Sequence, residues 1–214
     1  MNRKTFLVMC ALIVACVAAS LFFYPQFPER FASHWNAAGQ ADGWMSKSFG
    51  AFFVPGMMLF FIGLYALIPR IDPLKKNLGA FRKEYDLLWL ALTIFFAYVH
   101  GITVLWNLGA RFGFVRWMTP AFAGLWYVLG IVLSRAKRNW FVGIRTPWTL
   151  ASDIVWDKTH EFGSKLFKTT ALIALFGLLL PTELVVWCIL IPALVTSLAT
   201  IVYSFVVWKR LPLP

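Results

Sequence analysis

The chain has 214 residues, 60% of them hydrophobic and only 14% charged, and its 20 Lys and Arg against 9 Asp and Glu give a formal net charge of +11. Soluble domains carry roughly a quarter charged residues, so this composition excludes an ordinary water-soluble globule and indicates a chain that crosses a bilayer several times. The excess base lies in short segments beside apolar runs, with no basic recognition helix, which argues against direct nucleic-acid binding and for contact with membrane lipid headgroups.

The first apolar run, 5–24, follows the basic start Arg3-Lys4. It is too long for the apolar region of a cleaved signal, so it reads as a retained anchor. Ala11, Ala15 and Ala19 give it a small-residue face for packing. The next segment, 25–48, is polar and rich in turn residues. Pro25 and Pro28 end the helix, and Asn36, Gly39 and Asp42-Gly43 are turn chemistry. His34 and Asp42 lack a third partner for a metal, and the segment is expected to form a cap held on the membrane surface by Trp35 and Trp44.

Further spans are expected at 49–68, 87–108, 117–133, 166–180 and 184–208, which makes six. Pro55, Pro120 and Pro192 mark kinked packing helices. His100 and Asn107 lie at membrane depth in the third span, and Glu183 lies at the turn between the last two, so all three are functional candidates. Cys10, Cys16 and Cys188 form no disulfide or metal pattern. Placing both chain ends in the cytoplasm puts sixteen Lys and Arg inside and four outside (Arg30, Lys47, Arg111 and Arg116), as the positive-inside rule requires.

The segment 134–165 is cytoplasmic in that orientation. Thr146-Pro147 reads as a helix N-cap with proline at the first helical position. From there, helical spacing places Trp148, Ala151, Val155, Phe162 and Leu166 on one face and Asp153, Asp157, His160 and Glu161 on the other. The expectation is one amphipathic helix lying on the membrane and leading into the fifth span. The acidic residues, four apart, repel one another. They either pair with Arg145, Lys158 or the bases between spans two and three, or form a docking surface. His160 reads as an interfacial histidine and the chain's main titratable group near neutral pH.

Two stretches resemble one known family. "PERFASHWNAAGQADGWMSK" resembles the N-terminal segment of SdpI-type membrane proteins, with His34, Asn36, Gly39, Asp42 and Lys47 in its pattern; Trp35 stands where a smaller aromatic is usual. "NWFVGIRTPWTLASDIVWDKTHEFG" resembles that family's signature, with Asn139, Gly143, Arg145, Thr146, Pro147, Trp148, Thr149, Trp156, His160 and Gly163 in matching places. The resemblance covers nearly the whole chain. It implies a bacterial inner-membrane immunity protein giving resistance to a secreted peptide toxin. It also implies a receptor that recruits a small transcriptional repressor from the cytoplasm.

Together these readings predict an all-α polytopic membrane protein: a single domain over 1–214, a bundle of six transmembrane helices with an interfacial amphipathic helix, and both termini cytoplasmic. The matching residues of the two segments are the expected ligand and partner contacts. Within the second segment, Arg145 is expected to grip a carboxylate or lipid phosphate, while Trp148 and Trp156 set depth at the interface. No catalytic residue, cofactor or metal is expected, because no Ser-His-Asp set, HExxH motif or intramembrane aspartate pair is present. The alternative is a small-solute or proton-coupled transporter using His100 and Glu183.

Overall fold

The computed structural model describes residues 2–211. Eight helices and one hairpin follow in chain order: α1 (Arg3–Phe23), β1 (Arg30–Trp35), β2 (Ala41–Ser46), α2 (Lys47–Ile71), α3 (Lys75–Ala80), α4 (Arg82–Asn107), α5 (Phe114–Leu133), α6 (Pro147–Ala151), α7 (Asp153–Gly177) and α8 (Thr182–Lys209). The chain is a mainly helical, multi-pass membrane protein. Among the described residues, α1 with the turn after it, α2, α4, α5 and α8 are long and apolar enough to cross a bilayer. The sixth expected span is not among them. Residues 166–177 are the C-terminal part of α7, whose N-terminal part carries Asp153, Asp157, Lys158, Glu161 and Lys165 and dilutes its apolar character.

The six long helices form two groups of three. In one, α1, α2 and α4 pack on one another; in the other, α7 lies against both α5 and α8 in the most extensive helix contacts of the molecule. The groups join through α4 and α5. Small residues let the backbones approach, as they do where lipid leaves no hydrophobic drive between helices. A Cβ on Gly130 of α5 would stand 2.9 Å from the Ser164 carbonyl of α7, and one on Gly177 would stand 2.7 Å from Cys188 Cβ of α8. The Thr170 and Thr196 hydroxyls bond across α7 and α8 at 2.8 Å.

In α1 the buried stripe is Met9, Ile13, Cys16 and Ser20. Ala11 and Ala15 are exposed, contrary to the packing face expected of the alanines. The reason is polar: His100 Nε2 of α4 lies 3.0 Å from Ser20 Oγ and 3.2 Å from the Cys16 carbonyl, and Ser20 donates to the Ala51 carbonyl of α2 at 2.6 Å. Burying these groups together satisfies all of them and fixes the rotation of α1. His100 is therefore a three-helix junction. Glu183 is exposed in the first turn of α8, next to the turn that joins it to α7, where the helix dipole favours an acid.

Candidate functional site

The two segments singled out in the sequence lie at opposite ends of the helices. The first is folded as the antiparallel hairpin β1–β2, a feature that the all-helical expectation lacked. Asn36 builds its turn: its side-chain oxygen accepts from the Ala38 and Gln40 amides, and Gly39 takes a positive φ of 75°. Bulges at Ser33 and Asp42 distort the ladder. They bring exposed His34 against Asp42, with Nδ1 2.5 Å from the carboxylate. Lys47 begins α2, sits 3.6 Å from Glu29 and covers the Tyr24 ring.

The cap is anchored by Trp35, which stacks on Phe114 at 3.6 Å and meets Trp106 edge-on. Trp44 is not an anchor in the same sense. It is exposed, beneath the Arg30 guanidinium. The second anchor is Asn107, whose amide accepts from Ala32 N–H and donates to the Ala32 carbonyl. The edge of β1 thus finds its hydrogen bonds in a helix side chain.

At the other end, residues 134–165 fold as a compact knot between the two helix groups. Asn139 is fully buried. Its oxygen accepts from the Phe141 and Val142 amides, and its nitrogen donates to the Lys137 and Val142 carbonyls. Gly143 then takes a φ of 125°, and any Cβ there would collide with His160 Nε2 and the Trp156 ring. Only glycine meets both conditions. Thr146 caps α6 in a reciprocal box with Thr149, and its hydroxyl also bonds Ser204 of α8 at 3.0 Å.

Trp156 and His160 are the centre of the knot, not its surface. Trp156 has no exposed area and donates its indole N–H to the Ala136 carbonyl at 2.8 Å. His160 stacks on it at 3.9 Å. His160 Nε2 accepts from the Ile144 amide, which assigns the ring proton to Nδ1, donating to the Trp156 carbonyl. Burial pushes the His160 pKa down to about 4, against smaller opposing pulls from the Trp156 carbonyl and Asp157. The expected interfacial histidine and depth-setting Trp156 are therefore both corrected.

The expected single surface helix is corrected too. It breaks at Ser152, whose side chain caps α7. Within α7, Trp156 and His160 are buried while Asp153, Asp157 and Glu161 are exposed. Those acids pair within the chain, but with other bases than expected: Asp153 with Arg138 at 2.7 Å, Asp157 with Lys137 at 3.4 Å, and Glu161 with Lys165 at 2.8 Å. Arg145 is exposed and donates to the Trp140 carbonyl at 2.8 Å. With exposed Pro147 and Trp140 and half-buried Trp148 it makes the knot's outer surface.

The sequence reading passed over three residues that hold the knot in place. Buried Asp72 accepts from the Trp140 amide at 3.1 Å, Asn77 donates to the Arg138 carbonyl at 2.8 Å, and Arg138 donates to the Leu150 carbonyl at 2.8 Å. Asp72 directly precedes Pro73 at the start of a basic connection, a pattern of turn-forming aspartates that could have marked it.

The sequence model described as the SdpI/YfhL protein family matches residues 135–204, which contain this knot. A domain of unknown function, DUF1648, matches residues 11–59, which contain the hairpin. The immunity protein SdpI of Bacillus subtilis (strain 168) is 23% identical over 208 residues, covering 94% of this chain and 95% of that protein. Residues 135–204 thus carry the sequence pattern of the SdpI/YfhL family, and the similarity to an SdpI immunity protein extends over nearly the whole chain. No solved structure matches it.

The structure brings Asn139, Gly143, Thr146, Thr149, Trp156 and His160 together in the interior of the knot, all but Gly143 buried. It leaves Arg145, Pro147 and Trp148 on the knot's surface. His34, Asn36, Gly39, Asp42 and Lys47 gather in the hairpin at the far end of the helices. The family match of 135–204 runs through α7 and most of α8, which are the helices that the knot is tied to.

Proposed function

We propose that this chain is an immunity protein of the bacterial cytoplasmic membrane that gives resistance to a secreted peptide toxin. The observation that carries the reading is the similarity to an immunity protein along 94% of the chain, through both the hairpin and the knot. In this reading the hairpin faces outward and His34, Asn36, Gly39, Asp42 and Lys47 belong to the surface the toxin meets. The knot faces the cytoplasm. Asn139, Gly143, Thr146, Thr149, Trp156 and His160 hold its shape, and Arg145, Pro147 and Trp148 offer the surface that recruits a small transcriptional repressor. Arg145 suits that role because its guanidinium spends one N–H on Trp140 and keeps the others for a carboxylate or phosphate.

No catalytic step or cofactor belongs to this reading. The transporter alternative would rest on His100, which is hydrogen-bonded to α1, and on Glu183, which is exposed in the first turn of α8. The test is expression in toxin-sensitive bacteria, with a fluorescent fusion of a repressor encoded beside the chain. Protected cells with the fusion drawn to the membrane on toxin exposure are expected. Killing equal to that of cells lacking the chain, at normal membrane abundance, contradicts the proposal.

A further inference from the structure

The two helix groups touch through α4 and α5, and beside that contact α2 faces α8 at the outer end and α7 at the inner end. Two apolar cavities lie in the crevice between them. The outer one, about 490 Å³, sits under the hairpin between Phe53 of α2, Val99 and Thr103 of α4, Met118 of α5 and Leu190 of α8. The inner one, about 450 Å³, lies between Leu64 of α2, Leu88 and Leu92 of α4 and Leu129 of α5, with the Phe141–Ile144 strip of the knot as its floor. Leu88, Leu92, Phe96, Val99 and Thr103 follow one another at intervals of four or three, so they form one stripe along α4. The cavities are stacked on that stripe. The hairpin and the knot close opposite ends of one crevice.

We propose that this crevice receives a single uncharged, apolar helical segment of a membrane-inserted peptide, laid side-on against α4. The proposal rests on the immunity reading and names the class of ligand and its site. Size is the first argument. At about 1.5 Å rise per residue, Leu88 and Thr103 are about 22 Å apart, or about four helical turns, and each turn with its side chains occupies about 500 Å³. The two cavities hold about two such turns. The crevice therefore takes one face of a helix and leaves the other face to lipid.

Charge is the second argument. Neither lining contains Lys or Arg, so a phospholipid phosphate has no cation to meet there. Aromatic side chains at Phe53, Phe96, Phe122 and Trp126 supply the large rigid surfaces that anchor protein partners. A peptide bound in this way contacts the roof and the floor at once, so its presence is felt at both family segments.

The experiment uses the purified full chain in phosphatidylcholine vesicles. The probe is a synthetic helix of about 20 Leu and Ala residues, with lysines at both ends and one photoactivatable leucine near its middle. Cross-links are expected to concentrate on Leu92, Val99 and Met118. Val99→Trp and Leu92→Trp fill open space, and each is expected to cut the yield by about tenfold and to lower toxin survival at unchanged abundance. Even labelling of lipid-facing residues such as Val14 and Leu198 overturns the proposal, because the crevice then holds only lipid. Lost cross-links with full survival overturn the assignment of the crevice to the toxin. A wild-type chain that gives no survival yet focuses the cross-links sinks the immunity reading and upholds the crevice.

Discussion

Arg145 and Gly143 stand two residues apart and are predicted to behave in opposite ways when replaced. Gly143→Ala puts a Cβ into the His160 and Trp156 rings at a φ that side chains avoid, so membrane abundance should fall sharply on immunoblots. Arg145→Ala removes one exposed hydrogen bond, worth about 1 kcal/mol, and should leave abundance intact while repressor recruitment drops. Lysine at 145 should rescue poorly because it lacks the planar fork. Equal abundance for the two alanine variants would show that the Gly143 contact is not a constraint. His160 predicts a pH effect. Its pKa is lowered from an ordinary value of 6.5 to about 4, so its share of stability is whole above pH 6.5 and drains away as pH falls toward 4. At pH 5 the loss is about 2 kcal/mol. The melting temperature of the detergent-solubilised chain should therefore drop more between pH 7.5 and pH 5 than that of His160→Gln.

At the scale of elements, the apolar runs were legible because length and hydropathy alone identify a span. The hairpin was not. Its strands are six residues each, and bulges at Ser33 and Asp42 break the alternation that would reveal them. The turn residues Asn36 and Gly39 were readable, while the strands beside them became visible only through Asn107. Replacing Asn107 with Leu strips Ala32 of both backbone partners. Amide exchange across 30–46 should rise, with a cost of about 1–3 kcal/mol; unchanged exchange would mean that the hairpin holds itself.

The break between α6 and α7 was hidden for a different reason. Helical periodicity carried across Ser152 suggested one surface helix, although a serine followed by an aspartate is also an N-cap followed by a favourable first turn. The inward placement of Trp156 and His160 was hidden as well, because it rests on hydrogen bonds to Ala136 and Ile144 that lie far away in the sequence.

For the molecule as a whole, the decisive arrangement is two helix groups joined along α4 and α5, with one family segment at each end. Charge placement predicts which end is which. Cysteines introduced at exposed Ala38 in the hairpin turn and at exposed Lys158 on α7, in a chain lacking its native cysteines, should differ in intact cells. An impermeant thiol reagent should label Ala38→Cys and spare Lys158→Cys until the cells are opened. The reverse pattern would invert the orientation and move the toxin-facing surface to the knot. The central claim, protection, is tested most directly in the bacterium that carries the chain. A strain deleted for it is grown beside its unaltered parent and scored for killing, with and without the chain restored at its natural abundance. The account predicts that the deleted strain dies where it meets the parent and that restoring the chain rescues it. Equal survival of deleted and restored cells in the presence of active toxin would contradict it.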